Sequence, residues 1–302
     1  MSGSASAFTK LKYGVERVCK IWGFPRSSYY AWLESKRAAE EAEINGLAGK
    51  RGPTPRISDK ALLEAILDDL ARSPFHGEGH RKVWARLRVN KGIFVGRKRV
   101  LRIMRENRLL SPHRVRKANQ RAHDGVICTE APNQMWATDG VRIFTLDQGW
   151  IWLFSVVEHW NAECVGWHVC KIGDRFQALQ ALSMGLERIY GNVAPDVARG
   201  LQLRMDHGTQ FLSEHYQGQI KYWGITPSFA FVEEPQTNGV VERFNRTLKE
   251  QAIYGRVFRN VEEVREAVSA FVDSYNANWM IEKLGYFSPS QAREAHGQRM
   301  AA

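Results

Sequence analysis

Three acidic residues, far apart in the chain, have the types and settings from which a site could be built. Asp139 falls in a stretch rich in aromatic and β-branched residues, Asp206 directly follows a short apolar run at 201–205, and Glu242 lies in the first turns of a helical pattern that starts at about Asn238. Carboxylates are hard oxygen ligands, which suit magnesium or manganese and do not suit zinc. A phosphodiester transfer has a need that such a set meets. Two ions about 4 Å apart can activate the attacking oxygen, neutralise charge at phosphorus and hold the leaving oxygen in line, so the protein has only to position three acids. Glu242, Arg246 and Lys249 are spaced i, i+4, i+7 and share one helix face, which would set cations where phosphates must pass. Each acid also has a plainer reading: Asp139 as a strand-edge residue, Asp206 as a turn former before His207-Gly208, Glu242 as a first-turn acid favoured by the helix dipole. By periodicity alone Asp147, Glu158, Glu163, Asp196, Glu233 and Glu234 compete with them.

Convergence of the three acids requires a particular scaffold. Residues 134–144, 150–157 and 163–171 are rich in aromatic and β-branched residues and are joined by short turns, which predicts three antiparallel strands. A helix is expected at 174–190, a strand at 201–205, a helix at 211–223, a strand at 225–229, and two further helices from about 238 and 261. The order βββαβαβα is that of an α/β fold, a mixed sheet covered by helices. If the first and fourth strands are neighbours and the helix from 238 packs across them, Asp139, Asp206 and Glu242 meet.

Upstream the texture is helical and basic. Residues 13–33 read as two short helices around a Gly23-Phe24-Pro25 break, the outline of a helix-turn-helix, or else two packed helices with no DNA role. Two prolines and a glycine at 51–55 stop any helix and mark a linker. Three helical patterns follow at 58–72, 80–89 and 95–110. The first carries Leu62, Leu63, Ile66, Leu67 and Leu70, and the third spaces Val100, Leu101, Met104 and Leu109 as a core stripe. On the third, Arg97, Lys98, Arg99, Arg102, Arg105 and Arg108 load the remaining surface with few acids to form an i,i+4 network, so the segment reads as a second DNA-binding unit. Residues 111–124 have no apolar period and four more cations, as in a basic connector lying along phosphates.

The charge balance follows the same division. Of 302 residues, the first 130 hold 27 of the 43 Lys and Arg but only 13 of the 32 Asp and Glu, a formal +14, while the remainder is at −3. A basic excess confined to one part of the chain points to a polyanion, nucleic acid before an anionic membrane. An ordinary composition, 44% hydrophobic and 25% charged, excludes collagen-like, low-complexity and wholly disordered classes. The longest strongly apolar run, 151–157, is far short of a membrane-spanning helix. Cys19, Cys128, Cys164 and Cys170 form no C-x-x-C pair and no signal peptide is evident, so a reduced cytoplasmic setting, in association with the nucleoid, is expected.

Three blocks carry a resemblance: Trp136-Ala137-Thr138-Asp139-Gly140, Met205-Asp206-His207-Gly208-Thr209-Gln210-Phe211, and the run from Pro235-Gln236-Thr237-Asn238-Gly239 through Glu242-Arg243-Phe244-Asn245-Arg246-Thr247-Leu248-Lys249. They resemble the signature blocks of DDE transposases in the retroviral-integrase superfamily, and most closely the bacterial insertion-sequence group encoded in two overlapping frames. The 35 residues between Asp206 and Glu242 match that family's spacing. Residues 13–33 resemble its N-terminal helix-turn-helix, 57–112 its second helix-turn-helix module, and 275–289 the end of its catalytic domain. The resemblance implies a ribonuclease H-like core, two Mg2+ or Mn2+ ions, and Asp139, Asp206 and Glu242 as catalytic, metal-binding acids, with Lys249 at the position of a basic residue that touches the DNA end. Where the family's tail often carries an Arg or His and then a second His, this chain has Trp279 and Ile281. His76 and His80 have H-x3-H spacing but no C-x-x-C follows, so both are read as structural and no zinc domain is expected.

The expected organisation is a helix-turn-helix at 1–50, a second three-helix module at 56–112, a basic linker at 113–131 and a catalytic core at 132–295. The expected activity is 3′-end cleavage and strand transfer at insertion-sequence ends. Partners would be double-stranded DNA, as terminal inverted repeats and target, with a homo-oligomer in the DNA complex, a possible upstream-frame protein and no membrane. Besides Arg246 and Lys249, Arg97, Lys98, Arg99, Arg102 and Arg105 are the candidate DNA contacts. The alternative from another class is a non-catalytic DNA-binding regulator, or half of a fused transposase that is inactive alone.

Overall fold

The computed structural model describes residues 4–44, 55–111, 129–229 and 238–301. The chain divides into two compact units, Met1–Ser58 and Asp59–Ala302. The linker expected at 51–55 and the basic connector at 113–131 lie almost wholly outside the described residues, as do Glu233 and Glu234.

In the first unit α1 (Val15–Ile21) and α2 (Arg26–Ile44) are separated by the expected break. Gly23 takes a left-handed φ of 60°, and the amide of Phe24 closes the turn on the carbonyl of Cys19 at 2.9 Å. The second helix runs on beyond residue 33 through an Ala-rich, charged stretch to Ile44. Among this unit's described residues only Cys19 is buried, and Trp22 and Trp32 are more than half exposed.

The second unit opens with α3 (Asp59–Arg72), α4 (His80–Lys91) and α5 (Arg97–Glu106). Leu62, Ile66, Val83, Leu87, Val100, Ile103 and Met104 are fully or almost fully buried. At about 1.5–3 kcal/mol for each large apolar side chain, this stripe holds the three helices against the entropy of ordering them. Its membership differs from expectation, because Ile103 turns inward whereas Leu67 is exposed. Arg86 reaches between α3 and the 73–79 turn, where it bonds Asp69 through Nε at 3.0 Å and Glu78 through Nη1 at 2.5 Å. Buried charge is tolerable only when paired in this way.

The sheet has the order β3-β2-β1-β4-β5, with β1 (Met135–Thr145), β2 (Gly149–Glu158) and β3 (Cys164–Cys170) antiparallel, and β4 (Gln202–Met205) and β5 (Thr226–Phe229) running parallel to β1. The strands lie within one or two residues of the predicted bounds and the first and fourth are neighbours, whereas the single helix expected at 211–223 is two, Thr209–Leu212 and Glu214–Tyr222, broken at Ser213. One face is covered by α6 (Arg175–Tyr190), α7 (Thr209–Leu212) and α8 (Glu214–Tyr222), around Trp136, Phe154, Leu182 and Phe211. The other is covered by α9 (Gly239–Leu248) and α10 (Val261–Asn278), around Leu153, Val241, Phe244 and Val268. Gly166 lets α6 approach β3 closely, since a Cβ there would lie 2.1 Å from the carbonyl oxygen of Ala181. The chain ends in α11 (Pro289–Ala301), preceded by a 3-10 turn at Glu282–Leu284. This three-layer mixed sheet is the ribonuclease H-like α/β fold expected for the core, preceded in the chain by helical segments.

Candidate active site

Strand pairing brings the first two acids together. The parallel register of β1 and β4 runs Met135↔Gln202, Trp136↔Leu203, Ala137↔Arg204. Continued by two residues it sets Asp139 beside Asp206, at the carboxyl end of β4. Ligand sites of parallel α/β sheets lie at such ends, because the strands stop there and the loops diverge. Asp206 turns its own loop, its Oδ1 accepting the Gly208 amide at 2.9 Å.

Glu242 comes from the first turn of α9, which is fastened to β1 by two asparagines seven residues apart and therefore on one helix face. Asn238, the N-cap residue, donates from Nδ2 to the carbonyl of Thr138 at 3.2 Å. Asn245 donates from Nδ2 to Asp139 Oδ2 at 2.8 Å and accepts at Oδ1 from the Ser155 hydroxyl at 2.7 Å. The other oxygen of Asp139 accepts the Gly140 amide at 2.8 Å.

The electrostatics report the same convergence. Burial pushes the Asp139 carboxyl above its ordinary range; the Asn245 bond opposes this, the neighbouring Asp206 charge adds to it, and the Gly140 amide and Lys249 pull back. Burial also raises Glu242, reinforced by Asp139 and opposed by Arg246. Arg246 and Lys249 thus lie within electrostatic reach of the acids from the helix face that their spacing predicts.

The donor set fits a hard divalent cation. It offers oxygen only, its carboxylates repel one another, and each Asp139 oxygen holds a single hydrogen bond, so lone pairs remain for a cation. Among the described residues no group of three acidic, His or Cys side chains lies close enough together to hold a metal ion. Of the competing acids, Glu158 and Glu163 are buried and held by Arg293, and Asp196 pairs with Arg199, so these three are occupied in structural bonds. Asn238, Asn245 and Ser155 escape a reading of the sequence, whose only signal is the seven-residue spacing of the two asparagines.

The candidate DNA-contacting arginines on α5 are more fully paired than the sequence suggests. Asp59 accepts from Arg99 and Arg102 at 2.5 and 2.7 Å, Arg102 also bonds Glu106, and Arg97 reaches Glu282 at 3.4 Å. Along the helix itself only Glu106 pairs at i,i+4 among the described residues, as the few acids there led one to expect, but Asp59 and Glu282 arrive from elsewhere in the chain. Lys98 and Arg105 make no ion pair with the described residues. Both histidines of the H-x3-H pair sit in structural positions: the backbone N–H and carbonyl of His76 are both bonded at 2.8 Å by the Gln251 side chain, and His80 heads α4.

Known proteins resemble most of this chain. Residues 129–235 and 223–289 match two families described as integrase core domain, and residues 58–117 match an HTH-like domain. The transposase for insertion sequence element IS629 of Shigella sonnei is 29% identical over 299 residues, 94% of this chain and 93% of that protein. The transposase InsD for insertion element IS2A/D/F/H/I/K of Escherichia coli is 27% identical over 220 residues, 70% and 72% of the two chains. The catalytic core domain of BIV integrase superposes with a TM-score of 0.41 at 22% identity, over 56% of this chain and 99% of that one. The matched domains and relatives define an integrase-core polynucleotidyl transferase, an enzyme class that works on DNA with a divalent metal. Along nearly its whole length the chain is similar to an insertion-sequence transposase, and its second half carries the integrase core domain.

Proposed function

We propose that Asp139, Asp206 and Glu242 are the catalytic acids of a transposase that cleaves DNA at insertion-sequence ends to expose a 3′-hydroxyl and joins that hydroxyl to a target strand. The observation that carries this reading is the parallel register of β1 and β4, which, continued by two residues, sets Asp139 within β1 beside Asp206 at the carboxyl end of β4, with Glu242 near enough for its charge and that of Asp139 to repel. The three carboxylates would hold two Mg2+ or Mn2+ ions. When bound, such ions activate the attacking oxygen and neutralise charge on the transferred phosphoryl group. Asn245 and the Gly140 amide orient Asp139, while Arg246 and Lys249 draw the phosphates of the DNA end along α9.

The remaining division of labour belongs to the same proposal. A helix-turn-helix at 1–50 and a three-helix module at 56–112 bind terminal inverted repeats, with Lys98 and Arg105 the most available cations of α5, and the 113–131 segment links them to the core at 132–295. Two ends must be joined, so a homo-oligomer assembles on DNA, in the nucleoid, and an upstream-frame protein is a further partner. No helix among the described residues is long and apolar enough to cross a membrane.

The test uses the full chain, a labelled double-stranded DNA end and magnesium, with Asp206→Asn beside it. Nicking or joining by the wild type that the variant lacks is the expected result. Metal-independent binding with no strand breakage by either protein, in manganese as in magnesium, overturns the reading for the chain acting alone.

A further inference from the structure

Strand β2 is dry where it crosses the site. Leu153, Phe154, Val156 and Val157 are each 0% exposed, and so is Ser155 among them. A hydroxyl buried in such a run is costly unless it is bonded. Ser155 is the cross-strand partner of Asp139, and its hydroxyl donates to Asn245 Oδ1. The Asn245 amide, 3% exposed, in turn donates to Asp139.

The order of donors in this chain has a chemical consequence. A side-chain amide has one accepting and one donating end, and rotation by half a turn exchanges them. In the exchanged state Oδ1 would face Asp139 Oδ2, acceptor against acceptor, with no water to intervene. The carboxylate, which only accepts, sets the orientation in which the NH2 end faces it, and the Ser155 hydroxyl, by donating to Oδ1, completes the amide's bonds and holds it there. We propose that Ser155 is a positioning residue for metal binding: through Asn245 it fixes the carboxylate of Asp139 in the orientation that receives the divalent cation. This inference rests on the reading of Asp139 as a metal ligand. Groups that orient a ligand in this way typically change metal affinity or activity about 10- to 100-fold when removed.

The experiment measures Mn2+ binding to the DNA-free full chain by water-proton relaxation, with the metal-free melting temperature of each variant recorded alongside. Ser155→Ala is expected to weaken Mn2+ binding about 10- to 100-fold while the metal-free protein still melts cooperatively. Asn245→Ala carries the same test should the serine variant not fold. Because the hydroxyl acts through the amide, the double variant should bind within about twofold of Asn245→Ala alone, the non-additivity of groups in one chain of bonds. Losses that multiply would show that the two act separately and would overturn the proposal, as would wild-type affinity in Ser155→Ala when Asp139→Asn has lost binding. If Asp139→Asn itself binds Mn2+ as tightly as the wild type, the assignment of the acids fails first, and the inference with it.

Discussion

The ring of Phe75 meets the indole of Trp279 edge-on, with centroids 4.8 Å apart. Phe75 lies in the turn between α3 and α4, and Trp279 caps α10, so this contact joins the three-helix segment to the integrase core within one compact unit. The same indole stacks on Tyr275 at 5.7 Å and lies under the ammonium of Lys82. Trp279, which departs from the family's pattern, therefore has a docking role in this chain. We expect Trp279→Ala to destabilise the unit by about 2–3 kcal/mol, less than the cost of truncating a fully buried aromatic because this ring is only half-buried. Denaturant unfolding measures the loss. Early protease cleavage between α3 and α4 would place it at this contact, and an unchanged unfolding curve would contradict the role.

A second link between the same parts is ionic. Glu282 accepts from Arg81 at 2.7 Å and from Arg97 at 3.4 Å, and it is held below the usual carboxylate range chiefly by the Arg81 bond. A carboxylate bonded to two arginines occupies the place that a DNA phosphate would take. Exposed ion pairs of this kind are weak and screened by salt. Glu282→Gln should therefore raise affinity for terminal-repeat DNA a few-fold and steepen the salt dependence by about one to two phosphate equivalents. Binding titrations across a range of salt concentrations test this, and an unaltered slope would mean that neither arginine reaches DNA.

Much of the core was legible because its signals are local. Aromatic and β-branched alternation announced β1 to β3, and the acids announced themselves by residue type, by 35-residue spacing and by family resemblance. What escaped depends on contacts between distant residues. Asp59 neutralises Arg99 and Arg102 from 40 and 43 positions away, so a count of acids along α5 alone overstates its free charge. Ser155 and Asn245 are 90 residues apart, and no period links a serine in an apolar strand to an asparagine in a helix. Ile103 escapes for a smaller reason: Val100 and Met104 of the expected stripe are buried, but Ile103 is buried more fully than Leu101, and burial alone reveals the exchange.

At the opposite end of β2 from the hairpin tip, Arg293 of α11 is bonded to Glu163 and lies 3.6 Å from Glu158, carboxylates that are 2% and 0% exposed. Arg188 shares Glu163 at 3.1 Å, and Glu158 also accepts from the Asn133 and Trp160 amides. Arg293→Ala leaves two buried acids short of a cation, which typically costs about 3–5 kcal/mol. Adding Glu158→Gln should recover part of this loss, since Glu158 has no other cation among the described residues whereas Glu163 keeps Arg188. Chemical unfolding of the single and double variants provides the comparison, and a double variant weaker than the single would refute the electrostatic account.

The site acids are expected to work against the stability of the metal-free protein. Burial raises both Asp139 and Glu242, and each repulsive partner adds to the shift. A group whose pKa is higher folded than unfolded contributes stability at low pH and loses it as pH rises through the folded value. Metal-free stability should accordingly decline from about pH 4 upward, the ordinary carboxylate range, through the raised values. Magnesium should reverse the decline, because it binds the ionised acids of the folded state and does so better as pH rises. Glu242→Gln removes one of the repelling charges. Because Glu242 is only partly desolvated by its neighbours and its surface stays largely open to solvent, screening limits the expected gain to about 0.5 kcal/mol in the metal-free protein at neutral pH. The same variant should lose most of the magnesium-induced rise in melting temperature. Melting curves from pH 4 to pH 8, with and without magnesium, decide the matter: a wild-type magnesium effect that does not grow with pH would contradict the raised carboxylates, and a full effect in Glu242→Gln would remove that residue from the metal site.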